Sequence, residues 1–540
     1  MRILVIGLDA ATMDLIEPWI AAGQLPTLAR LMAEGVSGRM ISTPNMHSAS
    51  AWTSILTGLN PGRHGLFVFS DRDFQTGRQM FFTGSDRAGA IISSHLARHG
   101  MTAGLVNVPM TYKAECSPGG FMISGLDAPA LNEHAFCPEE LRNELFNKFP
   151  DYNFAPPAIG ELMKASRIDE AVSAWLKLID SQTAAVEWLI ETRPTDFFMT
   201  VYTASDWAGH NLWKYLDADR KRNAQPGNQM FAIYRALDMA IARLLAHTTI
   251  ETQIYIISDH GMGPHTGASY HLADWLESKG YMRRAARKSG RASLISVTRT
   301  AAQGLLPAKI KEKIKSGIGA ERVKRLQSAE KDSFYNSIEW SRTIAYTEPG
   351  RHVININLAG RNQSGIVVQD DYDKVCEDII RDLSEWTDAR GNSVVERVVR
   401  RDEVYFGPFT ERASDLYIYW NTSARMGEPP REVRARGFWW SGDHHLEGIL
   451  IAKGPGIRRG VKIDAATVYD FTPTVMYAAG LPVPEGLDGR VIQQTFDDEF
   501  IAHHPVQVDA LAQSAAVDRA ELSKSEEELI EEKLRGLGYL

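Results

Sequence analysis

Asp259 and His260 stand side by side where the apolar run Thr252-Gln253-Ile254-Tyr255-Ile256-Ile257 gives way to Ser258-Asp259-His260-Gly261-Met262-Gly263. A carboxylate and an imidazole delivered from the end of a buried strand into a glycine turn can ligate one divalent ion. Neighbouring side chains on a strand point to opposite faces, so both reach the same ion only where the backbone bends. Gly261 and Gly263 are expected to allow that bend through backbone angles that other residues avoid. Taken alone, the pattern also fits a turn with an Asp cap. The decisive question is whether the chain supplies the rest of a metal site.

Three other stretches offer ligands. Asp9 follows the apolar run Arg2-Ile3-Leu4-Val5-Ile6-Gly7-Leu8, with a helix N-cap as its competing reading. Asp206 and His210 lie four apart after Phe197-Phe198-Met199-Thr200-Val201-Tyr202, so one helical turn places them on one face. His444 lies in Ser441-Gly442-Asp443-His444-His445-Leu446-Glu447-Gly448, just before the apolar run Ile449-Leu450-Ile451-Ala452. Three carboxylates and three imidazoles suffice for two divalent ions, zinc first and manganese as the alternative. His265 and His271 read as loop residues, with a supporting role beside substrate or metal as the other reading. A hydroxyl could come from Ser42-Thr43-Pro44-Asn45-Met46-His47-Ser48-Ala49-Ser50, which runs into a short apolar helix, Ala51 to Leu56. A serine at a helix start is usually a cap, but the positive end of the helix can equally favour a nucleophile. Two cations about 4 Å apart are the usual device for in-line displacement at phosphorus.

The elements that must position these residues alternate between strand-like and helix-like patterns. That alternation predicts an α/β fold: a doubly wound, mostly parallel sheet with helices on both faces, gathering strand-terminal residues at one edge. The chain has 540 residues, 44% hydrophobic and 23% charged, with no low-complexity block. Four parts are expected: a first core part over 1–275, a basic helical insertion or cap over 276–335, a second core part over 336–495, and a helical tail over 496–540. The insertion carries Arg283, Arg284, Arg287, Lys288, Arg291, Lys309, Lys311, Lys313, Lys315, Lys324 and Arg325. It reads as a solvated face, or as a surface for an anionic partner.

A formal charge of -8 argues against a general nucleic-acid binder. Three cysteines, Cys116, Cys137 and Cys376, fit a reducing compartment and exclude a thiolate zinc cluster. No run reaches the roughly 18 apolar residues that span a bilayer, and no signal-peptide pattern opens the chain, so a cytoplasmic location is expected. A small phosphate ester is the expected partner, with homo-oligomer formation left open.

Asp9, the helix start ending at Thr57-Gly58, Asp206-x-x-x-His210, Asp259-His260-Gly261 and His444 occur in the order found in the alkaline phosphatase superfamily. The chain most resembles its type I phosphodiesterase/nucleotide pyrophosphatase branch. The resemblance covers most of 1–270 and 335–490, and leaves out the basic insertion and the tail. It implies that Asp206, His210 and His444 hold one ion, and that Asp9, Asp259 and His260 hold the other together with the nucleophile. Relatives place the nucleophile ten residues before the glycine of the Thr-Gly pair, here Ser48, with Ser50 and Thr43 as fallbacks. They place the last ligand four residues before the glycine opening the following strand, which favours His444 over His445. Ser48-Ala49-Ser50-Ala51-Trp52 lacks the Cys/Ser-x-Pro-x-Arg frame of sulfatases. The implied function is a phosphodiesterase or nucleotide pyrophosphatase acting through a phosphoseryl intermediate. The rivals are a phosphomonoesterase or phosphomutase on the same site, and a non-catalytic binding protein.

Overall fold

The first strand, Ile3–Leu8, is fully buried and occupies the middle of a large sheet in the computed structural model of the chain. The structure describes residues 1–156, 159–216, 229–285, 334–427, 429–430, 440–510 and 522–537. Most of the basic insertion (286–333) and part of the tail (511–521) lie outside the described residues.

Among the described residues the main sheet has ten strands. Its order runs Val461–Lys462, Val36–Ile41, Glu447–Lys453, Gln253–Ile257, Ile3–Leu8, Phe197–Tyr202, Ala103–Val108, Phe121–Ser124, Phe136–Cys137, with Ala466–Thr467 also on Val36–Ile41. The five strands from Gln253–Ile257 to Phe121–Ser124 are mutually parallel. Glu447–Lys453 runs antiparallel to both of its neighbours.

Strands covered on both faces read as continuous apolar runs, which is why these were visible in the sequence. In Ile3–Leu8, Leu4, Ile6 and Leu8 enter one core with Trp175 of the Ile168–Thr192 helix and Tyr234 of the Gln229–Leu245 helix. Ile3 and Val5 enter the other core with Trp52 and Ile55 of the Ser48–Thr57 helix and Val475 of the Phe471–Ala478 helix. Each such aliphatic side chain contributes about 1.5–3 kcal/mol on burial.

Residues 345–420 do not extend this sheet. They form a four-stranded antiparallel sheet ordered Ala345–Tyr346, Val353–Ile356, Leu416–Trp420, Val395–Arg400. Its core includes Ile379 and Leu383 of the Tyr372–Ser384 helix and Leu272 and Leu276 of the Ala268–Ser278 helix. A third, two-stranded ribbon pairs Gly261–Pro264 with Gly442–His445.

Two sequence expectations are corrected. Cys116 and Cys137 form a disulfide, leaving Cys376 as the free, buried thiol. Spacing could not reveal this, because the antiparallel pairing of Phe136–Cys137 with Phe121–Ser124 folds the chain back on itself. His271 lies within the Ala268–Ser278 helix and not in a loop. The tail helix Lys524–Leu537 packs on its own chain, burying Ile530, Leu534 and Leu537. Among the described residues no helix is long and apolar enough to cross a membrane.

Candidate metal centre and nucleophile

The carboxyl ends of the parallel strands deliver most of the candidate site. Asp9 follows Ile3–Leu8, Asp259 and His260 follow Gln253–Ile257, and the Ala204–Leu212 helix carrying Asp206 and His210 follows Phe197–Tyr202. His444 arrives at the same edge because Glu447–Lys453 is antiparallel, so the ribbon strand preceding it lies where its parallel neighbours end. Ser48 opens the Ser48–Thr57 helix, reached from the carboxyl end of Val36–Ile41. All seven residues come together, six of them buried and His444 partly exposed.

They form two triads. In the first, the Nε2 atoms of His210 and His444 are 2.8 Å apart, and each lies 3.2 Å from Asp206 Oδ1. In the second, His260 Nε2 lies 3.2 Å from Asp259 Oδ2 and 3.7 Å from Asp9 Oδ1. Ser48 Oγ joins this second group, 3.1 Å from His260 Nε2 and 3.5 Å from Asp9 Oδ1. The His260 and His444 rings, 3.9 Å between centroids, set the triads against each other.

The Nδ1 atoms fix the chemistry. His210 Nδ1 lies 3.0 Å from the Gly442 carbonyl, His444 Nδ1 2.6 Å from that of Met46, and His260 Nδ1 3.1 Å from that of Gly261. A carbonyl only accepts, so each Nδ1 carries a proton, and in the neutral ring that leaves Nε2 with the lone pair. In the first triad two lone pairs and a carboxylate oxygen therefore face one point, an arrangement that repels itself without a cation. The second triad shows the same deficit: Asp259 Oδ2 is buried with no hydrogen-bond donor.

Burial, reinforced by the charges of Asp259 and Asp206, pushes the Asp9 carboxyl well above its usual range. Burial, with the Asp206 charge, pushes Asp259 up to about 7. Burial favours neutral His260. Carboxylates crowded without a positive charge, beside neutral imidazoles, fit divalent cations.

Several supports lay beyond sequence reasoning. Trp52 Nε1 donates to Asp9 Oδ2 at 3.2 Å, and Gly7 lets the indole in, since a Cβ there would meet the ring at 2.5 Å. Met46 takes a left-handed backbone (φ 48°), turning its carbonyl toward His444. The Trp440 ring stacks on His210 at 3.6 Å. Trp52, four residues after Ser48 on the same helix face, could have been read from spacing. The backbone carbonyls carry no side-chain signal.

Other expectations change. Gly261 and Gly263 do not take left-handed angles; they are required by close approach. A Cβ on Gly261 would meet the Glu447 carbonyl at 2.2 Å, and one on Gly263 the His445 ring at 2.3 Å. His445 thus packs on the ribbon, outside both triads. The Ser50 hydroxyl is engaged by Asn45 Oδ1 and Thr43 Oγ1, each at 2.8 Å, so the two fallback hydroxyls bond each other.

The sequence matches the family described as type I phosphodiesterase / nucleotide pyrophosphatase over residues 3–445. No curated protein matches it. Among solved structures, the alkaline phosphatase PafA is similar at 13% identity and TM-score 0.51, covering 92% of this chain and 99% of its own. Murine ectonucleotide pyrophosphatase / phosphodiesterase 5 is similar at 11% identity and TM-score 0.48, covering 92% and 100%. Phosphonoacetate hydrolase from Sinorhizobium meliloti 1021 is similar at 13% identity and TM-score 0.48, covering 88% and 95%. At these identities the PafA likeness speaks to the fold alone.

Proposed function

Because the chain belongs to the type I phosphodiesterase / nucleotide pyrophosphatase family, whose members are phosphoric ester hydrolases, we propose that it cleaves small phosphodiesters or pyrophosphates with Ser48 as nucleophile. One observation carries the reading: His210 Nε2 faces His444 Nε2 at 2.8 Å while both Nδ1 atoms are bound to carbonyls. Asp206, His210 and His444 would hold one divalent cation, and Asp9, Asp259 and His260 a second beside Ser48. Zinc is the first candidate and manganese the alternative. The cations supply positive charge that favours a deprotonated hydroxyl and stabilises charge on the phosphoryl oxygens.

The residues of the chain do the rest. Asp9 and His260 fix the Ser48 oxygen at the start of its helix, where the helix dipole also favours negative charge. Ser48 Oγ attacks phosphorus, a P–O bond to Ser48 forms, and the bond to the leaving oxygen breaks. Water then attacks the phosphoserine, releasing the phosphoryl group and restoring the hydroxyl.

The test is Ser48→Ala in the full chain. Hydrolysis of bis-p-nitrophenyl phosphate should fall by a factor of about 10³ or more, with no trappable phosphoenzyme and an unchanged ion content. Wild-type turnover by that variant would sink the assignment. Faster hydrolysis of p-nitrophenyl phosphate than of the diester by the wild type would make the protein a monoesterase.

A further inference from the structure

Beside the first triad, on the opposite face of the ribbon, lies a second group of titratable side chains that the proposed chemistry does not use. Asp443 precedes His444 on the strand Gly442–His445, so the two side chains point to opposite faces. Asp443 Oδ1 accepts the His444 backbone N–H at 3.0 Å and lies 3.3 Å from His352 Nε2. Asp443 Oδ2 lies 3.6 Å from His265 Nε2.

The tautomers of both imidazoles are set from outside. The Trp420 indole donates to His352 Nδ1 at 3.0 Å, and the Gly267 N–H donates to His265 Nδ1 at 2.9 Å. Indole and amide nitrogens only donate, so each Nδ1 must accept and each proton sits on Nε2. The His352 N–H thereby faces the buried carboxylate, while the His265 N–H lies beside it and is within reach of Ser269 Oγ at 3.3 Å. The backbone N–H of His265 also bonds the Ser441 carbonyl at 2.9 Å, tying the clamp to the start of the ribbon strand.

The two imidazoles come from different parts of the molecule. His265 follows the ribbon strand Gly261–Pro264, while His352 directly precedes Val353–Ile356 of the four-stranded sheet. Trp420 ends Leu416–Trp420 of that same sheet.

We infer that Asp443, clamped by His352 and His265, is a positioning residue that holds the strand carrying His444, so that the four-stranded sheet sets the geometry of the first triad through Trp420 and His352. The inference rests on the metal-centre reading above. In this reading the Asp443 carboxylate acts through the strand it holds and is not itself a ligand. What it controls is whether His444 Nε2 meets His210 Nε2 and Asp206 at ligand distance. Groups that orient a metal-binding histidine are commonly worth 10- to 100-fold in metal affinity.

The experiment is competition between the full-length protein, loaded with zinc, and a chromogenic zinc chelator. Wild type should yield two ions. Asp443→Ala should weaken one of them by about 10- to 100-fold and leave the other within about twofold. Trp420→Phe, which keeps an aromatic ring but removes the donor to His352, should weaken the same ion. The double variant should be no worse than Asp443→Ala alone, because both act through one carboxylate. Trp420→Phe carries the test if Asp443→Ala does not fold. Wild-type affinity for both ions in folded variants would overturn the clamp while leaving the metal centre standing. A third ion lost in Asp443→Ala would also overturn it, by making these residues ligands. A wild type that takes up neither zinc nor manganese removes the clamp and the metal centre together, which distinguishes the two failures.

Discussion

His210, His444 and His260 are each aimed by a backbone carbonyl, Asp259 Oδ1 accepts the Ala10 backbone N–H at 3.3 Å, and Asp9 Oδ2 accepts from a side chain. For Asp9 that donor is an indole, which makes Trp52 informative. Trp52→Phe leaves a buried carboxylate oxygen without its partner and also removes the outer indole ring that packs on Gly7, so the hydrogen-bond loss is a lower bound. Hydrogen bonds to charged groups are worth about 1.5–3 kcal/mol, so the ion-free protein should lose at least that much stability by denaturant titration. The zinc-loaded protein should lose less, because the cation still compensates Asp9. At this scale Asp9, Asp206, His210, Asp259 and His260 were legible as carboxylates and imidazoles at the ends of apolar runs, whereas the choice of Ser48 over Ser50 and Thr43, and of His444 over His445, came from the family resemblance. Their supports were not. Met46 acts through its carbonyl, and Asp443 meets His352 only because two separate sheets abut.

The tail helix Lys524–Leu537 shows how an element can be recognised without its seat being known. Its helical character was expected from the sequence, whereas the surface it covers depends on residues from distant parts of the chain. Tyr112 donates to Glu526 at 2.7 Å, Arg78 to Glu527 at 2.8 Å, and Lys533 donates to the Ala128 carbonyl and lies over the Phe154 ring. Burial pushes the Lys533 ammonium down to about 7. Nearby Asp127 does little to prevent this, as its carboxylate already accepts the N–H groups of Gly84, Met110, Thr111 and Tyr112. An unfolded chain keeps this lysine protonated up to about 10.5, so between about pH 7 and 10.5 the unfolded state binds the extra proton. This group therefore makes stability rise with pH across that window, its cost being full below pH 7. Lys533→Met should raise the thermal midpoint most at pH 7, with the gap from wild type closing toward pH 10. A constant gap would show that the lysine stays charged in the folded protein. The same limit hid the four-stranded sheet: its apolar runs matched those of the main sheet, and only tertiary pairing separates them.

Across the whole molecule, the candidate ligands at positions 9, 206, 210, 259, 260 and 444 tie together segments spread over most of the chain. Ions bound at such a place act as cross-links on the folded state alone. At a free concentration 100 times the Kd each bound ion adds about 2.7 kcal/mol, and chelation should lower the thermal midpoint accordingly. Replacing Asp259 or His260 with Ala should remove about half of that shift, leaving the ion of the first triad. The edge of the sheet where these segments meet was predictable from parallel strands alone, but the antiparallel entry of Glu447–Lys453 was not, because strand direction leaves no mark on composition.

The central place of Ile3–Leu8 also sets a timetable for the ribosome. Its two neighbours are Phe197–Tyr202 and Gln253–Ile257, so this strand is flanked by strands made much later. At about 5–20 residues per second, roughly 10–40 s of synthesis separate it from the first of those partners. Throughout that interval a wholly apolar strand emerges with both edges unpaired, so the nascent chain needs shelter from its neighbours on the polysome before it can hold any ion.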